Sequence, residues 1–595
     1  MKRSQKRTLV VATGLVVVAG AFYGCEDFLT TAPQGTLDEL TLANQNGVEA
    51  TLIGAYRLLG GWTPGLGAWG AASSNWAFGS VPSDDAYKGS DPADQAPITD
   101  LELYNWSTGG SESYLNDKWR SLYEGITRSN ATIRLLDKVL AESPGSIADD
   151  VANSIRGEAT FLRAHYHFEA WKMWRNIPYY TEADTDFRKP NTGVDAIPLI
   201  LADLDAAIGL LQNQPQDRID QKGRVKVWTA RAVKGRVQVY SGDYAGGLTT
   251  LREVVNGGPY ALEPDYHRVW TAITAYANGP ETILAFQASA NDGDPNGDNA
   301  NYGERLNFPH AGSPFGCCGF HQPSQNLVNF FVVDGDGLPL ALSDPSWNAR
   351  NENLAGGADV PVDPRLDWTV GRDGVPYKDW PSNPSVTGVH DPSWIRDRGW
   401  AGPYSAKKTV HEYGSGGQSN VGWNAQHLNS TNIHLYRYAD LLLLLAEAEV
   451  EVGSLEAARQ IVNQIRERAG VVAQGPGESL SSLAIPIDDP SITWANYSIG
   501  LYNEPWSNQE AARTAVRYER RLELAMEGHR FFDLRRWGIA DNVLNEYLAV
   551  ERTRRAYLTG AAAFSDRHEL WPLPAVQIEL SQVGGENRLQ QNPGW

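Results

Sequence analysis

The chain has 595 residues and a formal net charge of −20, with no basic block beyond its first residues. Such a surface repels phosphate, which excludes nucleic acid as an expected partner. Its 20 tryptophans and 25 tyrosines suit a large core, and also flat platforms for sugars or peptides.

Residues 1–24 read as an export signal. Lys2, Arg3, Lys6 and Arg7 open it, and an apolar run from Leu9 to Phe22 follows. That run is short of the roughly 20 apolar residues a spanning helix needs, and no other transmembrane run follows it. Cys25, directly after Gly24, looks like the acylated cysteine of a bacterial lipoprotein, although Phe22 stands where such signals usually carry leucine. Attached acyl chains would hold the mature protein on a membrane. Glu26-Asp27 resembles the acidic signal that sends some lipoproteins to the cell surface. The alternatives are an N-terminal membrane anchor, or a cleaved signal beside an incidental cysteine.

Apolar residues spaced three and four apart predict helices over 47–60, 116–142, 149–174, 195–211, 228–258, 433–470 and 510–537. Between them, residues 289–428 are dense in Gly, Pro, Asn, Asp and Trp, and loops that long in a compact domain are usually functional. Two helical stretches match each other. After Gly242, apolar or small residues fall at Tyr244, Gly247, Leu251 and Val254; after Gly453 the same offsets give Leu455, Ala458, Val462 and Ile465. Each reads as a tetratricopeptide-like hairpin, a helix turning at glycine into a second helix that packs back on it. The predicted fold is therefore mostly α, a helical-hairpin scaffold carrying a large loop-rich insertion.

Several segments together resemble the RagB/SusD family: "RAHYHFEAWKMWRNIPYY" (163–180), "PSQNLVNFFVVDGDGLPL" (323–340), "DPRLDWTV" (363–370), "HLYRYADLLLLLAEAEVEVG" (434–453), "YERRLELAMEGHRFFDLRRWG" (518–538) and the closing "QNPGW". They run in order over the whole mature chain. The resemblance implies residues 25–288 as a SusD-like N-terminal part and 289–595 as the C-terminal part, with closing helices over 433–537. It further implies a non-enzymatic surface lipoprotein of the outer membrane, binding a glycan and delivering it to a SusC-type TonB-dependent transporter. Some members take peptides instead. A surface glycoside hydrolase remains a third reading, since two carboxylates among 71 acids would suffice; no G-x-S-x-G, H-E-x-x-H or Walker loop is present.

Family glycan sites draw on loops matching 67–91 and 300–321 here. These hold Trp69, Trp76 and Tyr87, then Tyr302, Phe308 and Phe315, as candidate stacking residues, each also open to a packing role. No cofactor is required, but Asp292, Asp294, Asn296 and Asp298 fit the opening of a calcium loop. Its closing acid is missing, and a polar surface loop is the competing reading. Cys317 and Cys318 are neighbours flanked by glycines, either a vicinal disulfide or two buried thiols. His165, His167 and Glu169 do not converge on one helical face and are read as packing. The alternating acids and arginines of 519–536 are read as an ion-pair network tying helices together.

Overall fold

The structure, a computed structural model, describes residues 42–61, 69–106, 110–382, 387–422, 425–475 and 482–595. The leader and Cys25 lie outside the described residues. Helices α1 (Gln45–Tyr56), α2 (Glu112–Glu142), α3 (Asp149–Trp174), α4 (Ala196–Leu210), α5 (Val227–Tyr240) and α6 (Tyr244–Gly257) precede the loop-rich segment. Helices α7 (Tyr438–Val452), α8 (Leu455–Arg468), α9 (Gln509–Leu524), α10 (Arg530–Arg536), α11 (Ala540–Arg554) and α12 (Ala575–Leu580) follow it. Each of α1 to α8 packs on the next, and α6 meets α7 although the whole loop-rich segment separates them in sequence; α9 packs on both α7 and α8. The scaffold is thus one continuous array of helical hairpins interrupted by an excursion. The two matched hairpins behave alike: Asp243 caps α6 through the Gly246 N–H, and Ser454 caps α8 through the Ala457 N–H. Their predicted apolar positions Leu251, Val254, Val462 and Ile465 are buried.

Small residues set the spacing. A Cβ at Gly125 of α2 would stand 2.6 Å from the Tyr166 ring of α3, so only glycine lets these two long helices approach so closely.

Among the short strands, β1 (Ala86–Gly89), β2 (Thr282–Phe286), β3 (Phe320–Pro323) and β4 (Ile433–Arg437) matter most, with β1 paired to β3 and β2 to β4, both antiparallel. Residues 433–437, predicted as helix, are therefore strand. Ile433, His434, Tyr436 and Arg437 find a pairing edge on β2 that local periodicity does not reveal. The stretch 228–258 turns at Ser241–Asp243, the glycine turn the hairpin reading expects, and 510–537 divides as well. The latter leaves the helix after Leu524, with Met526 at φ 65° and Gly528 at φ 75°.

That break turns Glu527 into a buried ion cluster. Arg437 reaches Glu281 at 2.6 Å, Glu523 at 2.7 Å and Glu527 at 2.8 Å. Arg365 holds Glu519 at 2.6 Å, Arg466 holds Glu519 at 2.9 Å, and Lys408 holds Glu527 at 2.7 Å. All of these groups are buried. The cluster joins β4, α8, α9 and the loop-rich segment at one point, so the excursion is clamped to the scaffold by charge as well as by apolar packing. His165 and His167 are likewise structural: His165 Nδ1 pairs with the Tyr436 hydroxyl at 2.8 Å, and His167 bridges the Arg163 carbonyl and the Tyr180 N–H.

Candidate functional site

Of the loops expected to meet a ligand, 67–91 and 300–321, the described residues 69–91 and 300–321 come together. β1 pairs with β3 along Ala86–Pro323, Tyr87–Gln322 and Gly89–Phe320. Upstream, Trp76 donates its indole N–H to the Gly303 carbonyl at 3.1 Å. A Cβ at Gly303 would lie 3.0 Å from the Ala72 methyl, so glycine lets the turn 69–72 lie directly on the backbone beside Tyr302. Glu304, buried between the two loops, accepts from Ser74 and, at 2.7 Å, from Asn307. Burial raises its carboxyl to about 7, despite those donors.

The candidate aromatics separate into two groups. Trp76 is fully buried, its ring 5.6 Å from His321 and 6.4 Å from Phe320. Tyr87 is fully buried too, donating to Glu551 at 2.6 Å. Phe315 is enclosed between Trp380 and Phe308, at 4.7 and 5.1 Å, in a separate small core. A ring covered on both faces cannot stack on a sugar, so Trp76, Tyr87, Phe308 and Phe315 are packing residues in this structure. Trp69 and Tyr302 keep part of their surface in solvent. The Trp69 indole N–H finds no hydrogen-bond partner among the described residues, and the Arg305 guanidinium lies 5.1 Å from the Tyr302 ring centroid.

A cleft of about 260 Å³, lined by neither of these rings, opens between the end of α1 and the segment following β2. Tyr56, Leu59 and Phe286 give it apolar walls, and Arg57, Gln287, Asp292 and Asn299 give it hydrogen-bonding groups. Arg57 is held in place by donating to the Asp298 carbonyl at 2.5 Å. Sequence reasoning missed Arg57, Phe286 and Gln287. Nothing local marks them; the packing of α1 near β2 brings them together.

The loop read as a calcium site builds one wall of that cleft. Its carboxylates serve the loop's own backbone: Asp292 accepts from the Asp294 N–H at 3.1 Å, and Asp294 from the Asn296 N–H at 2.7 Å. Asp292 also accepts from the Asn299 amide at 2.9 Å, and Asp298 contributes its N–H and carbonyl instead of a converging carboxylate. Among the described residues, these acids do not gather as a group of three ligand atoms. Their carboxylates cap the turn they lie in.

Cys317 and Cys318 are joined as a vicinal disulfide, with Cys318 in the main core and Cys317 at its edge. His427 lies within 4.8 Å of the sulfur atoms and donates to the Phe315 carbonyl at 2.9 Å. Joined sulfur atoms offer no thiolate, so the trio is a packing contact here.

Residues 280–595 match the model of the SusD family. The chain belongs to the SusD family. Residues 71–239 match a second model described as starch-binding associating with outer membrane. The SusD-like protein P25 of Formosa agariphila is 23% identical over 585 residues, covering 94% of this chain and 95% of that protein. A SusD homolog from Bacteroides thetaiotaomicron shares the fold with a TM-score of 0.66 at 19% identity, covering 95% of this chain and 100% of its own. A laminarin binding SusD-like protein superposes with a TM-score of 0.61 at 22% identity, covering 93% and 100%. At these identities the solved structures show the fold alone. The mostly α, tetratricopeptide-like scaffold read from this SusD-family sequence is the one the family shares. Among the described residues, no helix is long and apolar enough to cross a membrane.

Proposed function

We propose that this SusD-family chain is a lipoprotein, anchored through Cys25, that captures an oligo- or polysaccharide at the cell surface and passes it to a SusC-type TonB-dependent transporter. The observation that carries the reading is the loop face. Trp69 and Tyr302 are partly exposed on two loops held together by the Trp76–Gly303 contact, and a cleft between α1 and the segment after β2 carries Arg57, Gln287, Asp292 and Asn299. A pyranose ring lays its C–H face on an aromatic ring and turns its hydroxyls toward such polar groups. Because the platform is fixed before binding, little conformational entropy is lost on capture.

Family membership and the description of an outer-membrane starch-binding group support the same reading. So do similar folds with carbohydrate ligands, one of them surface glycan-binding protein A from Bacteroides thetaiotaomicron in complex with laminarihexaose. Binding, not hydrolysis, fits the cleft. It presents one carboxylate, Asp292, where glycoside hydrolysis ordinarily uses two. Calorimetric titration of glycans and oligopeptides tests the reading. A glycan bound through Trp69 and Tyr302 supports it, and binding of peptides alone replaces it with the peptide-capturing alternative.

A further inference from the structure

A second aromatic cleft, sharing no residue with the loop face, lies where α2, the segment after α3 and α12 meet. Helical spacing builds its floor. Trp119, Tyr123, Ile126, Asn130 and Arg134 follow one another at three- and four-residue intervals along α2 and line one side. The segment 178–189 and α12 close the cleft around a cavity of about 190 Å³. Trp119 stacks behind Tyr123 with ring centroids 4.4 Å apart, and Tyr180 meets Tyr123 edge-on at 6.0 Å. The phenol hydroxyls are spent on the protein: Tyr123 donates to the Pro178 carbonyl at 3.1 Å and Tyr180 to the Phe187 carbonyl at 2.8 Å. This fixes the rings, so the cleft offers their apolar surface and not their hydroxyls.

Two further observations mark the place. Phe187 and Leu580, with relative exposures of 65% and 66%, are the most exposed large hydrophobic side chains among the described residues, and both line this cleft. Apolar side chains exposed together around a concavity are a binding signature, whereas single ones are unremarkable. The rim is also cationic on a chain whose net charge is −20. Arg134, Arg188 and Lys189 line it against one acid, Asp184, and Lys189 holds that acid at 2.8 Å. Arg134 gives one N–H to the Glu182 carbonyl at 3.2 Å, while the Glu182 carboxylate is taken by Arg163. Arg188 stands 3.8 Å from Asp186 with both groups solvent-exposed, a pair too loose to cancel its charge. Two fixed phenol rings meeting at 85°, with Lys189 over the Tyr180 ring and two guanidinium groups at the rim, form an apolar corner that fits a ring with an apolar face and an anionic substituent. The cavity is smaller than the roughly 300 Å³ at which drug-sized sites begin, so it takes one unit of a chain.

We infer that this cleft is a second carbohydrate subsite, selective for a sugar unit carrying a carboxylate or a sulfate ester, seated in the angle between Tyr123 and Tyr180 and held by Arg134 and Arg188. The inference rests on the reading of the chain as a glycan-capturing protein and assigns it an acidic glycan class. The test titrates the purified protein lacking residues 1–25 with trigalacturonic acid, with a sulfated carrageenan tetrasaccharide, and with maltotriose as the neutral control. Saturable binding of either acidic probe is expected, and which one binds tells carboxylate from sulfate recognition. That binding should weaken at least tenfold in Tyr123→Ala, and similarly in the double variant Arg134→Ala/Arg188→Ala. The arginines are exposed, so their removal leaves the fold intact. Trp69→Ala should not change it. Failure of both acidic probes to bind, equal binding of maltotriose, or affinity unmoved by the arginine pair would overturn the inference. Loss of acidic binding in Trp69→Ala alone would overturn it while retaining the loop-face reading. If no glycan in any panel bound the protein, the broader reading would fall with it.

Discussion

The indole of Trp76 donates to the backbone carbonyl of Gly303 at 3.1 Å, between residues 227 positions apart. With the β1–β3 pairing and the Ser74–Glu304 contact, it sets one aromatic loop against the other. Its donor is buried and structural, while Trp69 and Tyr302 on the same loops are partly exposed.

Replacing Trp76 by alanine should therefore cost stability and binding together. Removing a fully buried tryptophan is expected to destabilise by about 3–5 kcal/mol, with the two loops released from each other. Chemical denaturation reads the first effect and glycan titration the second. Trp76→Ala that unfolds like the parent protein would contradict the packing role.

The ion cluster around Arg437 predicts a second result. Arg437→Met leaves Glu281, Glu523 and Glu527 buried with fewer partners, a loss of about 3–5 kcal/mol for a pair broken on one side. The same cluster predicts acid sensitivity. Burial alone would raise the Glu527 carboxyl, but Arg437 and Lys408 outweigh it and hold it down at about 2. A carboxylate depressed on folding contributes stability above its unfolded value, about 4.3, and loses that contribution as pH falls toward 2. Unfolding free energy should decline steeply over that window, and less steeply in Arg437→Met.

Glu304 predicts the opposite sign. Burial raises its carboxyl to about 7, so folding favours the protonated form. Its contribution is fully present below the unfolded carboxylate value and is lost as pH rises through about 7. Glu304→Gln keeps an oxygen for the Asn307 amide and supplies an N–H to Ser74, without a charge to bury. It should be more stable than the parent at pH 8 and closer to it at pH 5. Thermal unfolding across pH 5–8 checks this, and parallel curves for the two proteins would refute it.

The helices were legible in the sequence because their signal is local. Leu251, Val254, Val462 and Ile465 recur at helical intervals, and the caps at Asp243 and Ser454 stand where the periodicity begins. Part of the ion cluster was legible too, in the acids Glu519, Glu523 and Glu527. Their partners Arg365, Lys408, Arg437 and Arg466, and Glu281, come from segments far away in sequence. The fate of each aromatic was not legible. Trp76 is covered by Phe320 and His321, Tyr87 is capped by Glu551, and Phe315 is enclosed by Trp380. Each covering residue is remote in the chain, so an aromatic side chain alone does not tell platform from core. The cleft holding Arg57, Phe286 and Gln287 was hidden for the same reason. The α2 cleft differs, since its stripe from Trp119 to Arg134 lies on one helix, but amphipathic spacing reads equally as core.

The central claim, that the loop face captures a glycan, is tested most directly by calorimetric titration of the protein lacking residues 1–25 against a panel of polysaccharides and oligopeptides. The account predicts saturable binding to one glycan class, weakened at least tenfold in Trp69→Ala and in Tyr302→Ala. Unfolding temperatures in these variants should fall less than in Trp76→Ala. Binding of peptides alone, or a glycan bound equally well by both variants, would contradict it.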